Sequence, residues 1–237
     1  MAPKARRQRS RSRTGAYIAV AVVVLVVIGV GFYVLSGGGK QATGSKPIIL
    51  YVNQGNGVVN GSNFGAMTSY AASRGFNTVF FQMYREGVLL FSPSQLAAFV
   101  NESHSSGLKV FFALYITNSS QALPTSIYDI GEDGISLDMS TLPLSDQQVF
   151  LGDLEASYHA QVAVTTTDMS SPLKPNLLIL ETYGVNFQQY IRHGTIASVG
   201  VFTTANEQDY NSQFQYALQH SDGVMVFDYA GLLKRGY

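Results

Sequence analysis

The chain has 237 residues, no cysteine, no tryptophan, and 15 basic against 15 acidic side chains. Without thiols, disulfides, thiolate catalysis and cysteine-ligated metals are excluded, and stability has to come from a hydrophobic core. The zero net charge hides an asymmetry: residues 37–237 hold nine basic and all fifteen acidic residues, a formal charge of −6, which argues against a polyanionic substrate, so no nucleic-acid partner is expected.

Residues 1–15 form a basic tail carrying Lys4, Arg6, Arg7, Arg9, Arg11 and Arg13. From Ala16 to Leu35 there follow twenty residues without a charge. Wound as an α-helix at about 1.5 Å per residue, such a run matches the roughly 30 Å hydrocarbon core of a bilayer. The basic residues resist translocation, so the tail is expected in the cytoplasm and the rest outside, as a single-pass cell-membrane protein with an extracellular C-terminal domain. A cleaved secretory signal is the alternative, but its apolar core normally spans about 7–15 residues and ends at a small-residue site. Residues 36–46 are rich in Gly and small polar side chains and read as a flexible linker. The folded domain is expected over 47–237.

Eight short apolar runs follow: Ile48–Val52, Thr78–Tyr84, Lys109–Tyr115, Gly134–Met139, Gln161–Thr167, Asn176–Tyr183, Ala197–Thr203 and Gly223–Tyr229. They are β-branched and aromatic and bounded by Gly, Asn, Asp or Pro, the pattern of parallel strands buried on both faces. Helical patterns lie between several of them, at Phe64–Arg74, Ser94–Ser105 behind Pro93, Ser145–Ala160 with Ser145 as a plausible cap, and Glu207–His220. The echo of Val79-Phe-Phe-Gln-Met-Tyr84 in Val110-Phe-Phe-Ala-Leu-Tyr115 fixes the repeating unit as strand then helix. The predicted fold is therefore α/β, a small (β/α)8 TIM barrel, irregular because Asp168–Pro175 is too short for a helix and Phe187–His193 offers little more. The competing doubly wound sheet lacks its Gly-rich phosphate turn, since Asn53–Gly61 has neither the spacing nor an immediate helix.

In such barrels the reacting groups project from the C-terminal strand ends. Three acids stand there, Asp138, Glu181 and Asp228, with Gln82 in the matching place on the second run and Asp168 after the fifth. A carboxylate among apolar neighbours is costly unless paired or hydrogen-bonded, and its pKa rises. One proton-holding acid and one ionised carboxylate are the minimal set for cleaving a glycosidic bond. The competing reading makes each acid a structural partner of backbone amides, Lys or Arg, or a helix cap. Tyr51, Tyr84, Tyr115, Tyr183 and Tyr229 also fall at or near strand ends, offering ring faces to sugars and hydroxyls to their polar groups.

His104, His159, His193 and His220 all fall in or beside predicted helices, which disfavours His-ligated metals and His-pair phosphodiester cleavage. No Gly-x-Ser-x-Gly elbow is present, and Lys109 and Lys174 are poorly placed for a Schiff base. No metal and no cofactor are expected. Arg85 and Glu86 read as a local rim pair of little energetic weight.

The run Asp222-Gly-Val-Met-Val-Phe-Asp-Tyr229 after a helix, together with Gly75-Phe-Asn-Thr-Val-Phe-Phe81, resembles the glycoside-hydrolase-like TIM barrel superfamily, in particular its small members, over roughly residues 47–233. The commonest retaining members of that superfamily have Glu at the ends of strands four and seven, where this chain has Asp138 and Thr203, so that assignment does not carry over. A chitinase-like series of acids ending in Glu is likewise absent from Gly134-Ile-Ser-Leu-Asp-Met-Ser140. Taken with the 16–35 run and the strand-end acids, the resemblance leads to the expectation of a membrane-anchored glycoside hydrolase acting on envelope or environmental polysaccharide, with Asp138, Glu181 and Asp228 as its carboxylates in unassigned roles. The alternatives are a catalytically inactive barrel that binds glycan or an envelope partner, and a purely structural ectodomain.

Overall fold

Val, Ile and Phe pack well on a pleated surface, and the apolar runs that carry them become strands. The computed structural model describes residues 45–237 except 55–56 and 184–186, so the basic tail and the 16–35 span lie outside the described residues. Among the described residues no helix is long and apolar enough to cross a membrane. Eight parallel strands form: β1 (Ile48–Val52), β2 (Thr78–Arg85), β4 (Lys109–Tyr115), β5 (Gly134–Asp138), β6 (Gln161–Thr166), β7 (Leu177–Glu181), β8 (Ile196–Gly200) and β9 (Gly223–Phe227). Each pairs with its successor, and β1 pairs with both β2 and β9, which closes the ring. A short antiparallel strand, β3 (Val88–Leu89), hangs on the end of β2 and was not apparent in the sequence.

The alternation of side chains explains why the runs are apolar throughout. Ile49, Tyr51, Phe80, Phe111, Ala113, Ala163, Ile179, Ile196 and Met225 face inward and fill the barrel. Leu50, Val52, Val79, Phe81, Phe112, Leu137, Val164 and Val226 face outward and are covered by helices and loops. At the base, a methyl group on Gly134 would overlap the Phe111 ring and the Gln161 carbonyl, so the interior phenylalanine fits only beside glycine.

Among the described residues five helices cover the ring: α1 (Phe64–Ser73), α2 (Pro93–Ser105), α3 (Leu144–Ser157), α4 (Glu207–His220) and α5 (Tyr229–Arg235). The start of α2 is set by a capping box in which Ser92 and Gln95 satisfy each other's backbone N–H groups. The expected Ser145 cap is not used, because α3 starts one residue earlier, after Pro143, without a side-chain cap. Lys46 donates to the Leu218 and Ser221 carbonyls at 2.9 and 2.7 Å, satisfying the C-terminal end of α4. The irregularity predicted from the sequence lies in this helical layer. Among the described residues, only single 3₁₀ turns, Thr125–Ile127 and Phe187–Tyr190, interrupt the β4–β5 and β7–β8 connections, and no helix joins β6 to β7. Two run ends also differ from expectation. The strand read through Thr203 stops at Gly200 and continues as a 3₁₀ turn, Val201–Thr203, and Tyr229 opens α5 instead of ending a strand.

Candidate active site

Above its apolar filling the barrel interior turns polar, because the next inward position on several strands is Gln82, Asp138, Thr165, Glu181 or Ser198. A cleft of about 240 Å³ opens there at the C-terminal strand ends, lined by Tyr51, Asn53, Gln82, Arg85, Tyr115, Asp138, Ser140, Glu181 and Phe227. Asp138 is the last residue of β5 and Glu181 the last of β7, both in step with the inward set of their strands.

Asp138 is almost fully buried, with Ser140 Oγ donating to its Oδ1 at 3.3 Å. Burial pushes its carboxyl up to about 6, and the Ser140 contacts and the nearby Tyr51 hydroxyl only partly offset that. Glu181 rises further, to about 7, first through burial and then through the charge of Asp138. Both carboxyls line one cleft in which their charged forms are disfavoured, so the pair carries less than its full double charge near neutrality. The Tyr183 hydroxyl approaches Glu181 Oε1 at 3.5 Å and is held by Ser198 Oγ at 2.9 Å, so β8 steadies the acid on β7.

Tyr51 is 1% exposed, and burial, then the charge of Asp138, raises its phenol well above the ordinary value. Its hydroxyl lies near Asp138 and the Gln82 amide but completes no hydrogen bond of full geometry among the described residues. Gln82 is oriented by the Gln54 N–H, which donates to its Oε1 at 2.9 Å. On the facing side, the Arg85 guanidinium lies 5.4 Å from the centre of the Tyr115 ring and its Nε donates to Glu86 at 3.3 Å.

Of the residues expected from the sequence, Asp138, Glu181, Tyr51, Gln82 and Tyr115 line the cleft, and Tyr183 adjoins it through Glu181. Three do not. Asp228 follows the inward Phe227 and therefore points the other way; its Oδ1 accepts from Gly231 N–H at 2.9 Å and caps α5. Burial raises its carboxyl as well, but as a helix cap and not beside the other two acids. Tyr229 packs on Tyr70 of α1, with ring centres 5.2 Å apart. Tyr84 is turned outward by a register shift between Gln82 and Tyr84, and donates to the Ala122 carbonyl at 2.7 Å. The same bulge turns Arg85 inward, so a residue expected only as a rim partner of Glu86 becomes part of the cleft wall. Asn53, Ser140 and Phe227 were also missed. Phe227 was legible by counting alternate residues back from the strand end, while Asn53 and Ser140 lie on loops that carry no periodic signal. Among the described residues, no group of three or more His, Asp or Glu side chains is arranged to hold a metal.

No family model matches the sequence, and no curated protein matches it. Solved structures do match the fold. CpGH84B superposes with a TM-score of 0.53 at 7% identity, over 76% of this chain and 44% of that one. A mutant of the Thermobaculum terrenum O-GlcNAc hydrolase gives 0.50 at 10% identity, over 76% of this chain and 54% of the other. The chain thus spans about half the length of these two. A xylanase-α-amylase inhibitor protein gives 0.50 at 11% identity, over 81% of this chain and 96% of its own. What the three share with this chain is the fold, a TIM barrel.

Proposed function

We propose that this protein is a membrane-anchored, extracellular glycoside hydrolase that cleaves envelope or environmental polysaccharide with Asp138 and Glu181. The observation that carries the reading is the convergence of these two carboxyls on one open cleft, with one raised to about 6 and the other to about 7. Between about pH 6 and 7 such a pair holds mostly one proton and one negative charge, the state that glycosidic cleavage requires.

Glu181, the higher of the two, holds the proton and gives it to the glycosidic oxygen as the bond from the anomeric carbon to that oxygen breaks. Asp138 stays ionised, faces the positive charge that develops on the sugar, and either attacks the anomeric carbon or takes a proton from the attacking water, according to the carboxyl separation. Arg85 on the cleft wall is paired with Glu86, so the two acids leave the cleft net negative and it suits a neutral sugar over an anionic one. The Tyr51 hydroxyl, lacking a full hydrogen bond, is available to the substrate or to Asp138 in its charged form. The O-GlcNAc hydrolase among the fold neighbours acts on a sugar of this neutral kind, in keeping with the reading.

The second reading is a barrel that binds glycan or a protein without cleaving. It is favoured by the inhibitor protein, which shares the fold over nearly its whole length. A panel of polysaccharides and oligosaccharides incubated with the unmutated protein, Asp138→Asn and Glu181→Gln separates the two. Hydrolysis is expected to fall by at least a hundredfold in each variant. Glycan binding by the unmutated protein with no hydrolysis of any glycan on the panel selects the second reading.

A further inference from the structure

Phe202 is 56% exposed at the barrel mouth, an unusual place for a phenylalanine that adds nothing to either hydrophobic core. It belongs to the 3₁₀ turn Val201–Thr203 that leaves β8, and its ring meets Tyr183 edge-on at 5.3 Å and Phe227 at 5.9 Å. Phe227 itself lines the cleft and lies 4.9 Å from Tyr51. An aromatic surface therefore runs without a break from the buried floor of the cleft to an exposed ring outside it.

The turn that carries this ring is fixed. Thr203 Oγ1 donates to the Gly200 carbonyl and Thr204 Oγ1 to the Val201 carbonyl, each at 2.8 Å, and Arg235 of α5 donates to the Thr204 carbonyl at 2.7 Å. Gly200 makes room for it. A methyl group there would come within 3.0 Å of the Tyr183 ring, 3.1 Å of Thr203 Oγ1 and 3.2 Å of the Phe202 ring. A turn fixed in this way, with Tyr183 and Phe227 behind the ring, holds exposed apolar surface in one place in advance of any ligand, which lowers the cost of covering it.

The cleft supplies the identity of the occupant. Its volume of about 240 Å³ lies below the roughly 300–1,000 Å³ of pockets that enclose a drug-sized ligand, so it houses one pyranose ring and the next unit of a glycan must lie outside. We propose that Phe202 is the stacking platform for the sugar unit adjoining the one held in the cleft, so that the preferred ligand is a glycan of at least two units. The C–H face of a pyranose matches the ring's apolar face, as aromatic side chains bind apolar surfaces generally. This rests on the cleft being a carbohydrate site.

The test is calorimetric titration of the Glu181→Gln protein, whose turnover is expected to be at least a hundredfold slower, with cellobiose, xylobiose and N,N′-diacetylchitobiose, each beside its own methyl monoglycoside. At least one disaccharide is expected to bind about tenfold more tightly than its monoglycoside. Adding Phe202→Ala should remove most of that advantage and leave the monoglycoside affinity within twofold, while Phe202→Trp should retain it. An unchanged melting temperature confirms that the variants fold, as an exposed site requires. Disaccharide binding that ignores Phe202, or an equal loss for both ligands, overturns the platform but leaves the cleft reading standing. No binding of any of the six sugars overturns both.

Discussion

Asp138 is held in a place where its charge is disfavoured, and that has a measurable consequence for stability. Burial lifts its carboxyl to about 6, so between about pH 4 and pH 6 the folded protein keeps a proton that the unfolded chain has already released. The folded state then binds more protons than the unfolded one, and the unfolding free energy falls as pH rises through that window. Glu181 extends the same trend to about pH 7. Asp138→Asn removes the burden while still accepting from Ser140. Above pH 7 it should stabilise the protein by on the order of 1–3 kcal/mol, and below pH 4 by almost nothing. Urea unfolding at pH 4 and pH 8 checks this, and equal stabilities of variant and parent at both values would show that the carboxyl is not strained. Asp228 is the contrasting case. As the cap of α5, its replacement by Ala should cost about 1 kcal/mol of stability and leave sugar binding unchanged.

At the scale of elements, the difference between those two acids is one of counting. Asp138 and Glu181 fall in step with the inward residues of β5 and β7, whereas Asp228 is one residue past the inward Phe227. Strand ends were legible in the sequence because Val, Ile and Phe cluster there; which side each end residue faces requires the alternation to be followed from a fixed inward residue. On β2 even that fails, since the register shift after Gln82 exchanges the roles of Tyr84 and Arg85 and nothing in Thr78-Val-Phe-Phe-Gln-Met-Tyr-Arg85 announces a bulge. The bulge predicts an inverted mutational pattern. Tyr84→Phe should lower stability by about 1 kcal/mol through the lost bond to the Ala122 carbonyl, with no effect on ligand affinity. Arg85→Ala, on a half-exposed side chain, should leave stability within about 0.5 kcal/mol and weaken ligand binding. At the base of the barrel, Gly134→Ala should destabilise by roughly 1–3 kcal/mol, because a methyl group has to displace Phe111 or the backbone of β6. Thermal unfolding of the three variants, with titration of a bound sugar, would reveal the reverse pattern if Tyr84 faced the cleft.

On the scale of the molecule, eight strands were countable in the sequence and close into the expected ring, but among the described residues the coat around them has fewer helices than a full barrel's. The connection after β6 was readable from its length and prolines, and the one after β7 from its short helix-compatible stretch Phe187–His193; α5 was not, because Tyr229–Arg235 is only seven residues long and only Asp228 separates it from the last strand. The membrane anchor is a sequence-level proposal for residues 16–35, and it too has a direct check. The full chain should remain in the pellet after carbonate extraction of membranes, a chain starting at residue 45 should not, and protease added from outside should reach the barrel.

The central claim is that Asp138 and Glu181 share one proton in a sugar-cleaving cleft, and the pH dependence of kcat/KM on the best-hydrolysed glycan tests it most directly. The account predicts a bell with its maximum between about pH 6 and 7, the acid limb set by ionisation of Asp138 and the alkaline limb by loss of the Glu181 proton, with the alkaline limb missing from the residual activity of Glu181→Gln. A profile that stays flat from pH 4 to pH 9, or undiminished activity in the Asp138→Asn, Glu181→Gln double variant, would contradict it.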